Sequence, residues 1–525
     1  MWTHGWRDNV WSQLDQEFDL IIIGGGITGA GILREAARAG LKAVLFEQGD
    51  FASGTSSRSS KLVHGGLRYL KNAQIKLTYE SVHEREHLLK EGRGLVTPLP
   101  FVMTNFRGDK IPGWVFGIGL TVYDIMALKW NHAAYDPTGL RGLVPQLSAP
   151  DLASGFRYFD AQTDDARLVL RVLQEATKDG ALALNYVRVG KLLKAKGRVC
   201  GVAVQDMAVA DGGRTTEVRA RGVVSATGAW ADELRKQVRG RERLRVLRGS
   251  HIFFPQSKLP LTRAVTFLHP KDGRPVFILP WEGVTLVGTT DVDHGTTPST
   301  DLRIGAAEAK YLMDSVRHAF PDLGLTLADV QSTLAGIRAV VDTGKADPSK
   351  ESREYVLWNE SGLLTVSGGK LTTFRLMAQT VLRAVRPLLP EHPRLGSDER
   401  VLDPLPPETT IGDAPPELRL RLMGRYGNEA RNLVAAAQKG ELTAIGPSPS
   451  LWAELRWAAR SEGVVHLDDL LARRVRLNIN LPDGGVNELM GIRKIVQPEL
   501  GWSDEHWEKE AGRYREIWKD YYSPI

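Results

Sequence analysis

The chain has 525 residues, 42% hydrophobic and 25% charged, a globular composition too long for one core, so two or three domains are expected. Its 68 lysines and arginines stand against 62 acids, a net charge of +6. That balance gives no argument for nucleic acid and leaves an anionic substrate, an anionic cofactor or an anionic membrane surface open. One cysteine, Cys200, excludes an internal disulfide and a cysteine-rich metal site, and agrees with a reducing compartment.

MWTHGWRDNVWSQLDQEF carries acids and no apolar run, so it does not read as a secretory signal, and residues 1–17 are set apart as an N-terminal extension. FDLIIIGGGITGAGILREAARAGLKAVLFEQ then predicts strand, tight turn, helix and strand. Gly24, Gly26 and Gly29 complete G-x-G-x-x-G: the first for the turn, the second for approach of a pyrophosphate, the third for helix–strand packing. The helix N-terminus offers its N–H groups to the phosphates, and Glu47 at the next strand end suits a ribose diol. No second such fingerprint occurs, which disfavours an enzyme that binds both FAD and NAD(P)H.

SSRSSKLVHGGLRYL (56–70) follows, dense in small residues and donors. HEREH (83–87) satisfies the zinc-protease pattern H-E-x-x-H, but no third ligand is indicated, so it reads as a charged helix face and no metal is expected. IPGWVFGIGLTVYDIMALKW (111–130) is apolar but carries Asp124, which argues against a spanning helix. A buried helix is the expectation. An interfacial contact, suited by Trp114, Lys129 and Trp130, is the alternative. LPEHPRLGSDERVLDPLPPETT (389–410) reads as a linker, and LWAELRWAARSEGVVHLDDLLARRVRL (451–477) has helical apolar spacing.

Residues 55–70 match T-S-S-x-S-S-K-L-x-H-G-G-L-R-Y-L, and DDARLVL (164–170), ATGAW (226–230), GSHI (249–252), GTTDV (288–292) and SGGKLTTFR (367–375) follow in order. In these motifs the chain resembles the FAD-dependent, aerobic-type glycerol-3-phosphate dehydrogenase family. The resemblance implies an α/β fold like that of D-amino-acid oxidase. A Rossmann-like FAD-binding domain (segments near 18–95, 160–235 and 335–395) would carry an inserted antiparallel-sheet substrate domain (near 96–159 and 236–334). A helical C-terminal cap would follow at 396–525.

It also implies the reaction: sn-glycerol 3-phosphate oxidised to dihydroxyacetone phosphate by hydride transfer to flavin N5, with electrons passed to membrane quinone. The protein would then be cytoplasmic and peripheral on the membrane, and homodimerisation stays open. An oxidase using O₂ and a flavin-binding protein without catalysis are the competing functions.

By the same resemblance, Thr55, Ser56, Ser57, Ser60, Lys61, His64, Gly65, Gly66, Gly228, Gly369, Lys370, Leu371 and Thr372 join the fingerprint glycines and Glu47 around the cofactor. Arg68, Tyr69, Arg338 and Arg353 would meet the substrate, with Thr290 and Asp291 candidates for the same cavity. Guanidinium forks suit a phosphate dianion. In LAGIRAVVD the family's S-G-x-R-P pattern is altered, with Ala335 at the serine and Ala339 at the proline. His251, Arg338 and Lys370 are the catalytic candidates: His251 as proton acceptor because imidazole titrates near working pH, with a core histidine bonded to backbone as its competing reading, and Lys370 near the flavin edge or the substrate.

Overall fold

The computed structural model describes residues 2–67, 74–208, 213–295, 298–344, 354–393, 396 and 399–525. Two sheets organise it. The first is built on the strand Phe18–Ile23, whose β-branched run is buried as a central parallel strand requires. It pairs in parallel with Ala43–Phe46 on one side and Thr215–Ser225 on the other. The order across the sheet is Val356–Glu360, Leu363–Ser367, Thr215–Ser225, Phe18–Ile23, Ala43–Phe46, Leu182–Leu184, with Val187–Ala195 and Arg198–Asp206 joined through Thr215–Ser225. The helix Ile27–Arg38 packs between Asp165–Lys178 and Phe374–Val385, covering the sheet with small and aliphatic residues.

The second sheet is almost wholly antiparallel; among the described residues, the pair Ala264–Leu268 and Val96–Phe106 alone runs in parallel. Its long strands Leu244–Pro255 and Ser332–Val341 pair over ten residues, setting His251 opposite Leu334 and Leu247 opposite Arg338. Ser332–Val341 stays in this sheet past the boundary near 335 suggested by the sequence, and the chain rejoins the first sheet at Val356. The result is the expected mixed fold: a parallel cofactor sheet, a curled antiparallel sheet and a helical C-terminal region.

The C-terminal region contains the helices Trp452–Ser461, Leu489–Leu500 and Asp504–Tyr521, and its Arg425, Glu462 and Arg474 form buried ion pairs with the first sheet's helix Asp165–Lys178 and flanking loops. Arg167 Nη2 meets Glu462 Oε2 at 2.9 Å, Arg425 Nη2 meets Asp164 Oδ2 at 3.0 Å, and Arg474 Nη2 meets Asp50 Oδ1 at 2.8 Å. Every charge in these pairs has a partner, which is what makes burial tolerable.

The helix Gly113–Ala127 departs from expectation. Only Leu120, Tyr123 and Asp124 are buried in it. Trp114 is 66% exposed, Leu128 87% and Trp130 70%, and Ile118 and Ile125 are exposed as well. A helix apolar on all sides satisfies a core and a non-aqueous contact equally, so its sequence could not separate them. Among the described residues no helix is long and apolar enough to cross a membrane.

Candidate functional site

The turn after Phe18–Ile23 forms a cradle whose glycines are required by space. Gly24 has φ +112°, and a Cβ there would lie 2.6 Å from the Ala226 carbonyl oxygen. A Cβ on Gly29 would lie 1.9 Å from the Gly24 carbonyl oxygen, so the helix can approach the turn only with glycine there. Ser56 Oγ accepts the Ile27 N–H at 2.9 Å, at the helix start where an anion would bind. Glu47 accepts from the Gly25 N–H (2.7 Å) and the Gly49 N–H (2.8 Å), and burial raises its pKa.

These residues wall a cavity of about 540 Å³ that runs from Glu47 past Gly24, Gly26 and Gly228 to the Gly368–Gly369 turn, where both glycines have positive φ. Thr55 and Ser56 line it from one side, and Ala472, Arg473, Ile517 and Tyr522 of the C-terminal helices close another. An elongated cleft with an acid at one end, a glycine turn on a helix N-terminus in its middle and a second glycine turn at the other end fits FAD. Gly29 serves packing and does not line the cleft.

A second cavity of about 710 Å³ opens beside the first. Thr55, Arg58, Arg338, Lys370 and Leu371 line both, so the two are contiguous at a cluster of three cations. Ser60, His64, Gly66, Thr289 and Thr372 add polar groups near this junction. Farther out the wall is apolar: Phe101, Tyr158 and Phe277, then Val115, Ile118 and Val122 of the exposed helix.

The segment 55–66 threads between the cavities and is anchored from below. Thr55 Oγ1 donates to the Ile337 carbonyl at 2.6 Å. Lys61, fully buried with φ +62°, turns its ammonium to Asp165 Oδ1 and the Ser57 carbonyl, both at 2.7 Å. Burial, together with the neighbouring Arg476, lowers its pKa to about 8. Asp165 also accepts from the Ser59 N–H (3.0 Å) and hydroxyl (2.7 Å). Lys61 and Ser57 were expected to touch the cofactor; both line neither cavity, the lysine being drawn beneath the segment by its ion pair with Asp165.

Gly65 packs against Tyr123 and donates its N–H to Asp160 Oδ1 at 3.1 Å. The same oxygen accepts from Arg85 Nη1 (2.7 Å) and Tyr123 Oη (2.9 Å). Thr372 Oγ1 donates to the His64 carbonyl at 3.2 Å, so the His64–Gly66 turn is held from both sides. Arg85 lies in HEREH, where Glu84 pairs with Arg375 and His83 Nδ1 lies 2.9 Å from the Tyr79 carbonyl, so that segment is occupied by structural contacts.

Arg338 reaches the junction with Nη1 3.3 Å from Asp291 Oδ1 and Nη2 3.3 Å from Thr289 Oγ1. Thr290 does not join it: its hydroxyl donates to buried Glu308 at 2.6 Å and accepts the Ser250 N–H at 2.9 Å. Its neighbour Thr289 lines the cavity instead. His251 also departs from expectation. It is 1% exposed and lines neither cavity, and its Nε2 lies 2.9 Å from Ser60 Oγ. Burial, with Lys61 and Arg338 adding repulsion, holds its pKa at about 3, so the imidazole is neutral. The group facing the cavity is the Ser60 hydroxyl. Arg68, Tyr69 and Arg353 lie outside the described residues.

Three residues had no role in the sequence reading. Asp165 stands in the quoted DDARLVL, Arg58 at the open position of the long motif, and Asp160 in no motif at all.

The FAD dependent oxidoreductase family model matches residues 19–375, and the C-terminal domain of alpha-glycerophosphate oxidase matches residues 366–507. The chain is 34% identical over 514 residues to the aerobic glycerol-3-phosphate dehydrogenase of Staphylococcus haemolyticus, covering 93% of this chain and 91% of that one. It is 39% identical over 392 residues to the Bacillus subtilis protein of the same name, covering 73% and 70%. Among solved structures, the glycerol-3-phosphate dehydrogenase of Bacillus halodurans complexed with FAD superposes with a TM-score of 0.80 at 27% identity, covering 99% of this chain and 98% of that one. The FAD-bound L-alpha-glycerophosphate oxidase of Mycoplasma pneumoniae has a similar fold, with a TM-score of 0.58 at 17% identity over 74% of this chain and 99% of that one.

Proposed function

The chain belongs to the FAD-dependent glycerol-3-phosphate dehydrogenase family, and from that membership we propose that it oxidises sn-glycerol 3-phosphate to dihydroxyacetone phosphate and passes the electrons to a membrane quinone. The observation that carries this reading is the junction itself. An FAD-shaped cleft and a second cavity share Arg338 and Lys370, so a small anion held there would lie at the cofactor's reactive end.

When bound, FAD supplies the two-electron acceptor for the carbinol hydride. The protein's residues have three other tasks. Arg338 holds the phosphate dianion, in a charge-assisted contact that glycerol would lack and that lactate, with a single carboxylate charge, would make more weakly. Lys370, beside the Gly368–Gly369 turn, adds positive charge where negative charge develops. Ser60 presents its hydroxyl to the substrate's, while His251, neutral beneath it, accepts or returns a hydrogen bond that fixes the serine. In this arrangement Ser60 contacts the substrate and His251 is a positioning residue. Arg68, Tyr69 and Arg353 remain candidates for the same anion by resemblance.

The quinone reading draws on the apolar reach of the second cavity and the exposed apolar helix at its mouth. An amphiphilic acceptor dissolved in a bilayer could enter there if Trp114, Ile118 and Ile125 insert among lipids.

One experiment tests both halves. Yellow holoenzyme, mixed anaerobically with sn-glycerol 3-phosphate, is expected to bleach, whereas glycerol and lactate leave it yellow. Anionic vesicles carrying a quinone should then restore the colour faster than dissolved oxygen does. Bleaching by unphosphorylated glycerol at equal affinity would refute the substrate. Rapid reoxidation by oxygen with stoichiometric peroxide would make the protein an oxidase.

A further inference from the structure

Arg58, half-buried at the junction, differs from the fully buried arginines. Arg167 faces Glu462, Arg375 faces Glu84 and Arg474 faces Asp50, each a carboxylate. Arg58 instead donates Nη1 to the Ala335 carbonyl at 3.0 Å and Nη2 to the Tyr522 hydroxyl at 3.0 Å, and its guanidinium lies 5.3 Å from the Tyr522 ring centre. Both partners are neutral, so neither cancels its charge. Its Nε–H is buried without a hydrogen-bond partner, and the residue lines both cavities at their junction. Two of five guanidinium donors are used by the protein, which leaves the fork open toward a ligand.

Its placement relative to Arg338 is set by a glycine. A Cβ on Gly336 would lie 2.6 Å from Arg58 Cβ, so the Arg58 stem occupies the space a side chain at 336 would take. Residues 336 and 338 point to the same face of the strand Ser332–Val341. Two arginines from distant parts of the sequence thus line the same junction. The Tyr522 main chain is held to the same strand, its carbonyl accepting the Thr333 N–H at 2.7 Å. The C-terminal end of the chain is therefore part of the wall that places Arg58.

We propose that Arg58 is a phosphate-binding arginine of the substrate cavity, paired with Arg338 and set in position by Tyr522. The inference rests on the glycerol 3-phosphate reading and specifies a second cation for that dianion. A charge-assisted contact to phosphate is worth roughly ten- to hundredfold in affinity.

The test titrates inorganic phosphate and dihydroxyacetone phosphate into flavin-loaded protein, reading the perturbation of the flavin absorbance. Arg58→Gln should retain flavin and bind both anions roughly ten- to hundredfold more weakly. Arg58→Lys should recover much of that loss, because charge persists although the two-partner fork does not. Tyr522→Phe keeps the ring and should weaken both anions several-fold, raising KM for glycerol 3-phosphate more than it lowers kcat. Wild-type anion affinity in Arg58→Gln overturns the proposal, as does an Arg58→Lys protein no better than Arg58→Gln. Should Arg58→Gln fail to fold, unaltered anion affinity in Tyr522→Phe overturns Tyr522's part, and Arg58→Lys then decides the cation's. Wild-type protein that glycerol 3-phosphate does not bleach defeats the parent reading separately.

Discussion

The first cavity is framed by glycine turns around Gly24–Gly26, Gly228 and Gly368–Gly369, where main chain forms the wall, whereas the second is framed by side chains carried by separate strands and one exposed helix. A main-chain wall tolerates substitution nearly anywhere except at its glycines. A side-chain wall depends on what lies behind each residue: Asp165, which lines neither cavity, and Asp160, which holds the Gly65 amide, fix the segment both cavities share. The difference teaches where each cavity is vulnerable. The cofactor cleft fails by steric intrusion, and the substrate cavity fails by loss of hidden polar support.

Asp165→Ala should give the largest effect, because it damages both cavities at once. Lys61 and Arg476 would lose the carboxylate they share, at 2.7 and 3.2 Å, and the Ser59 N–H would lose its acceptor. Breaking one side of a buried pair costs about 3–5 kcal/mol. Denaturant unfolding of the holoenzyme should register that loss. Unfolding within 1 kcal/mol of wild type, a bound chosen from the same scale, would show that the segment does not depend on its buried anchor.

Gly29→Ala comes next and should strike the cofactor cleft alone. The new methyl group would sit 1.9 Å from the Gly24 carbonyl oxygen, with backbone rather than a flexible side chain as its neighbour. Overpacking of this kind costs on the order of 3 kcal/mol, and relief requires the helix Ile27–Arg38 to back away from the turn. The purified variant is expected to have a sharply reduced flavin-to-protein absorbance ratio. Full flavin occupancy would mean that the turn opens without losing its ligand.

The same contrast governs what could be read from sequence. The strand, turn and helix from Phe18 to Arg38 are contiguous, so their spacing alone discloses the cleft. Arg58 and Asp165 lie inside motifs already recognised, but their roles depend on partners 277 and 106 residues away. Nothing local marks Asp160, because the Gly65 amide it holds is 95 residues distant. His251 could be read as a proton acceptor or as a core histidine, and its burial is decided by a strand of the second sheet and by Ser60, which the local sequence does not show. The exposed helix Gly113–Ala127 failed for another reason: apolar composition reports aversion to water, not which apolar medium replaces it.

Tyr123→Phe should have the smallest effect and should confine it to the second cavity. Tyr123 stands on the exposed apolar helix, yet its hydroxyl reaches inward to Asp160 Oδ1, which also holds Gly65 and Arg85. Loss of the hydroxyl leaves the other two donors in place, so the net cost is about 1 kcal/mol. Flavin content should remain that of wild type, because no wall of the first cavity touches this group. Amide exchange across residues 62–67 should quicken, since the His64–Gly66 turn then rests on one contact fewer. Unchanged exchange there, with flavin lost instead, would reverse the assignment of hidden polar support to the substrate side.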